Sequence, residues 1–458
     1  EEQVPILDGQ MTSVWRYVGE VVAGDPHLLR QVPNSYLGPT FQVQQGQRIH
    51  VTFTNELPVP SGIHWHGLLV PDHMDGHPRD HVAPGESYVY DFVVQNRAGT
   101  YWYHPHPDRT TGGQVYRGLA GFFLVSDPEE AALTLPRDEL DIGLVLQDRV
   151  FDEAGQLVYG GNDPVQGAQD AGFYGNGHTQ SMGMTGNRIL ANGQIDYVVN
   201  AEATTHRIRI LNGSNARTYV LAWGDQRPLT VIGTDGGLLE AAVERPYVIL
   251  APGERVELWA DFSAQLSDSE VGLISYSMSG GDPYLLTRFV FHESSSQALQ
   301  LPAQLTRFEP LASADAINGE TPRRLHLGAT QAGWTINGRP FELEAVADDE
   351  RVQLHTAEVW EIVNDGSAGG MLMGHPTHIH GVQFRVIKRT MEEADPQSWA
   401  SIQAGYVDVG WKDTVNVMAG ERVQLLMRFE AHAGLYLIHC HVLEHEDFSM
   451  MRNFLIET

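Results

Sequence analysis

A chain of 458 residues favours about three domains of roughly 100–200 residues each over one hydrophobic core. Hydrophobic residues at 42% and charged residues at 19% are ordinary for a soluble globular protein; no run of about 18 apolar residues offers a span, so no membrane insertion is expected. With 58 acidic against 29 basic residues, the formal charge of −29 repels phosphate backbones and argues against nucleic acid as a partner.

The start, Glu1-Glu2-Gln3-Val4-Pro5, has neither the basic segment nor the apolar stretch of an export signal, as expected of a processed or a cytosolic chain. His64-Trp65-His66-Gly67 follows; residues i and i+2 of a strand face the same way, so both imidazoles can meet one centre. The turn Ala-Pro-Gly-Glu-Ser at 83–87 leads into a predicted strand at 88–94, and GTYWYHPH at 99–106 brings a second pair, His104 and His106. Strands are predicted at 207–211 and 256–262, the latter behind a returning turn, Ala-Pro-Gly-Glu-Arg at 251–255. This middle stretch lacks such histidine pairs, and its segments 212–217 and 246–262 read as structural, a spacer between the outer parts. After the polar stretch 294–321 come a strand at 358–363 and HPTHIHG at 375–381, with His375, His378 and His380. The turn returns as Met-Ala-Gly-Glu-Arg at 418–422 before a strand at 423–429, and GLYLIHCH at 434–441 closes the series. Three copies of the turn predict three related domains, at 1–130, 131–300 and 301–458. With 47 Gly, 24 Pro and little helical periodicity, the expected class is all-β: antiparallel sandwiches or barrels.

Ten of the 21 histidines fall in four short clusters, His64/His66, His104/His106, His375/His378/His380 and His439/His441/His445. The second pair of the first and last copies sits alike, since the turn glycines Gly85 and Gly420 precede His104 and His439 by 19 residues each. One His-x-His is more often two unrelated histidines; four in matching places of two domains point to metal, though imidazole alone does not say which. Cys440, the only cysteine, does: it faces away from His439 and His441, with His445 five residues on and Met450 five beyond. Two histidines, a thiolate and a weak axial Met form the ligand set of blue copper, with His375 as the second imidazole. His-Cys-His is then a short covalent wire to a second site, for which eight imidazoles remain. Two would serve one copper and three each of two others, and four coppers match the four electrons O2 needs.

These motifs, HWHG, HPH, HPTHIHG and HCHVLEHEDFSM, resemble those of the laccase-type multicopper oxidases in their three-cupredoxin-domain bacterial form, over essentially the whole chain. The resemblance implies three Greek-key cupredoxin sandwiches and four copper ions. It makes His375, Cys440, His445 and axial Met450 the type 1 ligands and His64 and His378 the type 2 ligands. The type 3 pair would be held by His66, His104 and His441, and by His106, His380 and His439. Asp75, eleven residues after His64, and Glu446, directly after His445, match proton-supplying acids of similar oxidases, although an acid in such a segment more commonly caps a turn. A periplasmic or secreted monomer using O2 is implied.

The reductant expected is a phenol or aromatic amine, reached through an apolar entrance beside His445. The alternative is a metallo-oxidase of Cu(I) or Fe(II). Copper-efflux relatives carry a Met-rich insertion where 294–321 has no Met, and metal oxidisers tend to place a carboxylate close ahead of His375, where Met371-Leu372-Met373-Gly374 has none. Met182 and Met184, in a Gly-rich loop, keep a weak copper contact open, though such Met is more often packing. An electron carrier would need only the blue site, and a copper nitrite reductase would have two domains and lack a type 3 pair.

Overall fold

The computed structural model describes residues 1–160, 182–277, 281–294, 298–330, 333–366, 373–391 and 396–458. Met371 and Leu372 lie outside these. The chain builds three β-sandwich units of the cupredoxin fold, with only short helices between strands. In the first, a five-stranded sheet is ordered Leu29–Arg30, Thr40–Gln44, Gly121–Ser126, Gly99–His104, His64–His66, facing the pair Arg48–Thr54 and Ser87–Val93. The middle unit packs a seven-stranded sheet, containing Thr205–Asn212 and Arg255–Asp261, on a five-stranded one. The last has two five-stranded sheets, one placing His375–Ile379 between Gly434–Cys440 and Thr414–Val417.

The predicted strands all form, because alternating apolar residues find a core on one face. Separate clusters fill each sandwich: Trp65, Tyr101 and Phe123 in the first, Leu221, Leu258 and Phe289 in the middle, Trp360, Leu425 and Phe454 in the last. The expectation of purely antiparallel sheets does not hold. Thr40–Gln44 runs parallel to Gly121–Ser126, Asp141–Arg149 to Thr205–Asn212, and Arg323–Thr330 to Ala357–Asn364. These partners are joined by long excursions through the opposite sheet, so a tight antiparallel hairpin is not required of them. Segments leading into and out of the middle sandwich lie against it, where Leu135 and Leu305 pack with Ile232, Leu238 and Trp259.

Candidate metal centre

The first and last units present their histidines by the same device. His64 pairs with His104 across neighbouring strands, and His378 pairs with His439. The residues between turn to the other face: Trp65 enters a ring cluster with Phe41, Tyr90, Phe92 and Phe123, while Ile379 and Cys440 enter the third core. Side-chain alternation thus anchors each pair by burying its intervening residue. Trp102, on the same face as His104, lies against His104 and His66 with ring centroids 4.3 and 5.0 Å apart.

The eight imidazoles converge between the first and last units, all buried. Three groups have ligand atoms within 4.8 Å of one another: His66, His104 and His441; His106, His380 and His439; and His64, His66 and His378. His64 Nδ1 donates to the Asp75 carbonyl (2.7 Å) and His378 Nδ1 to that of Asp413 (2.8 Å). His104 Nδ1 donates to the Pro105 carbonyl (2.9 Å) and His380 Nδ1 to Asp75 Oδ2 (2.7 Å). Each of these neutral rings, keeping its one proton at Nδ1, turns a bare Nε2 inward. His64 Nε2 and His378 Nε2 face each other at 3.4 Å, and His380 Nε2 and His439 Nε2 at 3.0 Å. Among the described residues His441 has no hydrogen-bond partner on either nitrogen.

Burial holds His104 and His378 at a pKa of about 3, and burial followed by neighbouring imidazoles keeps His441 well below its ordinary value. Neutral rings with lone pairs converging at these separations repel unless a cation lies among them, so the residues fit a cluster of imidazole-bound metal. Asp75 is fully buried, and burial, then Asp72 and Asp80, lifts its carboxyl well above the usual range. Its Oδ1, 3.5 Å from His64 Nδ1, has no hydrogen-bond partner among the described residues. Glu446 Oε2 lies 3.1 Å from His439 Nδ1 without the alignment of a hydrogen bond, and Oε1 is 3.5 Å from His106 Nδ1.

A second site lies on the opposite face of the strand Gly434–Cys440. Cys440 Sγ is 3.5 Å from His375 Nδ1 and 3.7 Å from His445 Nδ1, and those two nitrogens are 3.3 Å apart. Met450 is buried in the same core, its carbonyl taking Cys440 N–H (2.9 Å) and its own N–H reaching the His445 carbonyl (2.8 Å). Burial pushes the thiol pKa up and holds His375 at about 4. A thiolate here needs a compensating cation, and two neutral imidazoles beside it suit copper. The expected apolar entrance is not open: His445 is fully buried, with the Trp334 ring against it at 4.3 Å.

The sequence reading missed several contributors. Asp413 is buried beside His66, its Oδ1 3.1 Å from His66 Nε2, and Thr414 Oγ1 is equally close. Burial raises the Asp413 pKa, but Arg255 outweighs it and the net shift is downward. The middle unit, read as a spacer, supplies that arginine and also Gly253, which abuts His441. The repeated turn at 251–255 marked the place of both without showing their partners.

Sandwiches with a buried imidazole cluster shared by the outer two, joined through one cysteine to a His2Cys site, define a redox metalloprotein of the cupredoxin fold. Two family profiles described as multicopper oxidase match residues 21–130 and 317–458. The laccase of Bacillus stratosphericus is 33% identical over 93% of this chain and 90% of its own. The crystal structure of the McoA multicopper oxidase of Aquifex aeolicus superposes with a TM-score of 0.81 at 32% identity, covering 100% of this chain and 94% of that one. A Campylobacter jejuni multicopper oxidase described as a metallo-oxidase gives 0.77 at 26%, covering 100% and 90%. The chain belongs to the multicopper oxidases, oxidoreductases that use copper, O2 and a reducing substrate.

Proposed function

We propose that this protein is a laccase, taking electrons singly from phenols or aromatic amines and delivering four to O2 to give water. The observation that carries the reading is the placement of Cys440: its sulfur sits with His375 and His445, while its chain neighbours His439 and His441 belong to two different imidazole groups. In this reading His375, Cys440, His445 and axial Met450 hold type 1 copper, and His64 and His378 type 2. His66, His104 and His441 hold one type 3 ion, and His106, His380 and His439 the other. Bound copper supplies one-electron redox steps and, as four ions, a store matching the needs of O2. The units are 1–130, 131–300 and 301–458, of which the middle gives no ligand.

Asp75, buried and with its pKa raised, places a carboxyl beside His380, where water formation consumes protons. Glu446, between His106 and His439, offers a second carboxyl at the cluster for the relay. The rest of the chain excludes bulk water, since all eight rings are buried. Of the two reductant classes, the phenol is favoured by the Met-free stretch 294–321 and by the absence of a carboxylate from the sequence 371–374 just ahead of His375. An exported monomer completes the reading.

The test compares kcat/KM for a methoxyphenol and for Cu(I) on copper-loaded protein dialysed free of excess metal. Efficient phenol turnover is expected. A preference for Cu(I) above about tenfold, roughly 1.4 kcal/mol, transfers the assignment to the metallo-oxidases, the class named for the Campylobacter structure.

A further inference from the structure

The strand Arg255–Asp261 begins in the turn at 251–255, the middle copy of a motif that recurs in all three units. In the first unit the corresponding Gly85 has open space where a Cβ would be. In the middle unit Gly253, at φ +83°, lies so close that a Cβ would stand 2.8 Å from Cδ2 of His441. Backbone here substitutes for a side chain against a cluster imidazole.

Two residues on, Arg255 is buried and bonds to all three units. Nη1 and Nη2 donate to Asp413 Oδ1 and Oδ2 at 2.7 and 2.6 Å, a two-point fork into the last unit. Nε donates to the Thr100 carbonyl of the first unit (2.9 Å) and Nη2 to the Asp235 carbonyl of its own (3.0 Å). Lys412 bridges Asp235 and Glu254 at 2.9 and 3.2 Å, so a second cation stands among the three acids around the fork. Asp413 in turn faces two cluster rings: Oδ1 accepts from His66 Nε2, leaving His66 Nδ1 bare at 3.4 Å from His104 Nε2, and its carbonyl accepts from His378 Nδ1. A planar guanidinium fixes the plane of a carboxylate it holds at two points, and a fixed carboxylate fixes the tautomer and orientation of the imidazole donating to it.

We propose that Arg255 is a positioning residue of the copper cluster. By clamping Asp413 it makes His66 present Nδ1, where other rings present Nε2, and it holds the carbonyl that orients His378. The middle unit thereby sets copper retention at a centre to which it gives no ligand. This rests on His66 and His378 being copper ligands, as proposed above.

Copper-loaded wild type, Arg255→Met, Arg255→Lys and Asp413→Asn are titrated with ethylenediaminetetraacetate while retained copper, blue absorption, the paramagnetic resonance spectrum and thermal melting are followed. Arg255→Met and Asp413→Asn are expected to keep the blue band but release cluster copper at about 10- to 100-fold lower chelator concentration, with an altered type 2 signal. Arg255→Lys, which keeps charge but not the fork, should fall between them and wild type. Asp413→Asn, close to isosteric, carries the test if Arg255→Met does not fold. Release curves and type 2 signals matching wild type in the folded variants overturn the proposal. Wild type retaining only the copper at Cys440 overturns instead the ligand reading beneath it.

Discussion

Cys440 has its sulfur in the third core and its peptide bonds in the strand that bears His439 and His441, so one side chain joins two environments. Cys440→Ser removes the thiolate whose charge transfer to Cu(II) colours such a site. Visible absorption and oxygen uptake should both vanish; phenol oxidation persisting at the wild-type rate would dismiss Cys440 as the route. Asp75 invites a subtler substitution, because Oδ2 accepts a hydrogen bond from His380 Nδ1 while Oδ1 has no hydrogen-bond partner among the described residues. Asp75→Asn preserves an oxygen for His380 but cannot release a carboxyl proton. All coppers and the blue colour should remain while reoxidation by O2 in stopped flow slows by about 100-fold or more; an unchanged rate rules out the relay. The paired histidines and Cys440 were legible in the sequence because their chemistry lies in spacings of two and five residues. Asp413 was not: it reads as a lone acid before a strand, and its partner Arg255 is 158 residues away.

At the level of elements, the three-residue strand His64–His66 is too short to hold itself, and its anchor is Trp65. That ring is fully buried, and its Nε1 has no hydrogen-bond partner among the described residues, so its contribution is packing. Trp65→Ala should cost about 3–5 kcal/mol and loosen both flanking imidazoles. Melting should fall and cluster copper should be lost before the blue copper, which metal analysis alongside visible spectra would detect; equal loss of both would show that Trp65 stabilises the whole fold and not this strand. Strand positions were readable because burial on one face writes an alternating pattern. Pairing was not, since a strand running parallel to its neighbour alternates like an antiparallel one; Phe41 opposite Phe123 leaves no local trace. The closure over His445 was equally hidden, because Trp334 comes from a strand 111 residues earlier in the chain, and no spacing rule links them.

For the whole molecule, copper and acid are coupled. In copper-free protein, burial keeps His104 and His378 near a pKa of about 3 and His375 near about 4, against about 6.5 in an unfolded chain. Between those values the unfolded chain binds more protons, so stability is fully present above about pH 6.5 and is lost as pH falls toward the folded values. Calorimetry of copper-free protein should show melting fall steeply over that window, and copper should suppress the fall until protons displace it. A flat profile from pH 7 to 4 would contradict burial of neutral rings. Three units could be counted from a repeated turn, but their junction could not, because the fork from Arg255 to Asp413 joins residues that share no pattern. The division of the cluster between the outer units also bears on the order of synthesis. His64, His66, His104 and His106 are made first, and their partners from His375 onward arrive after more than half the chain has followed. Until then the early imidazoles are a half-site, open to whichever divalent ion is at hand, with zinc a strong competitor. Faithful loading therefore requires that the early half-site stay free of competing ions until the last unit has docked and completed the ligand set.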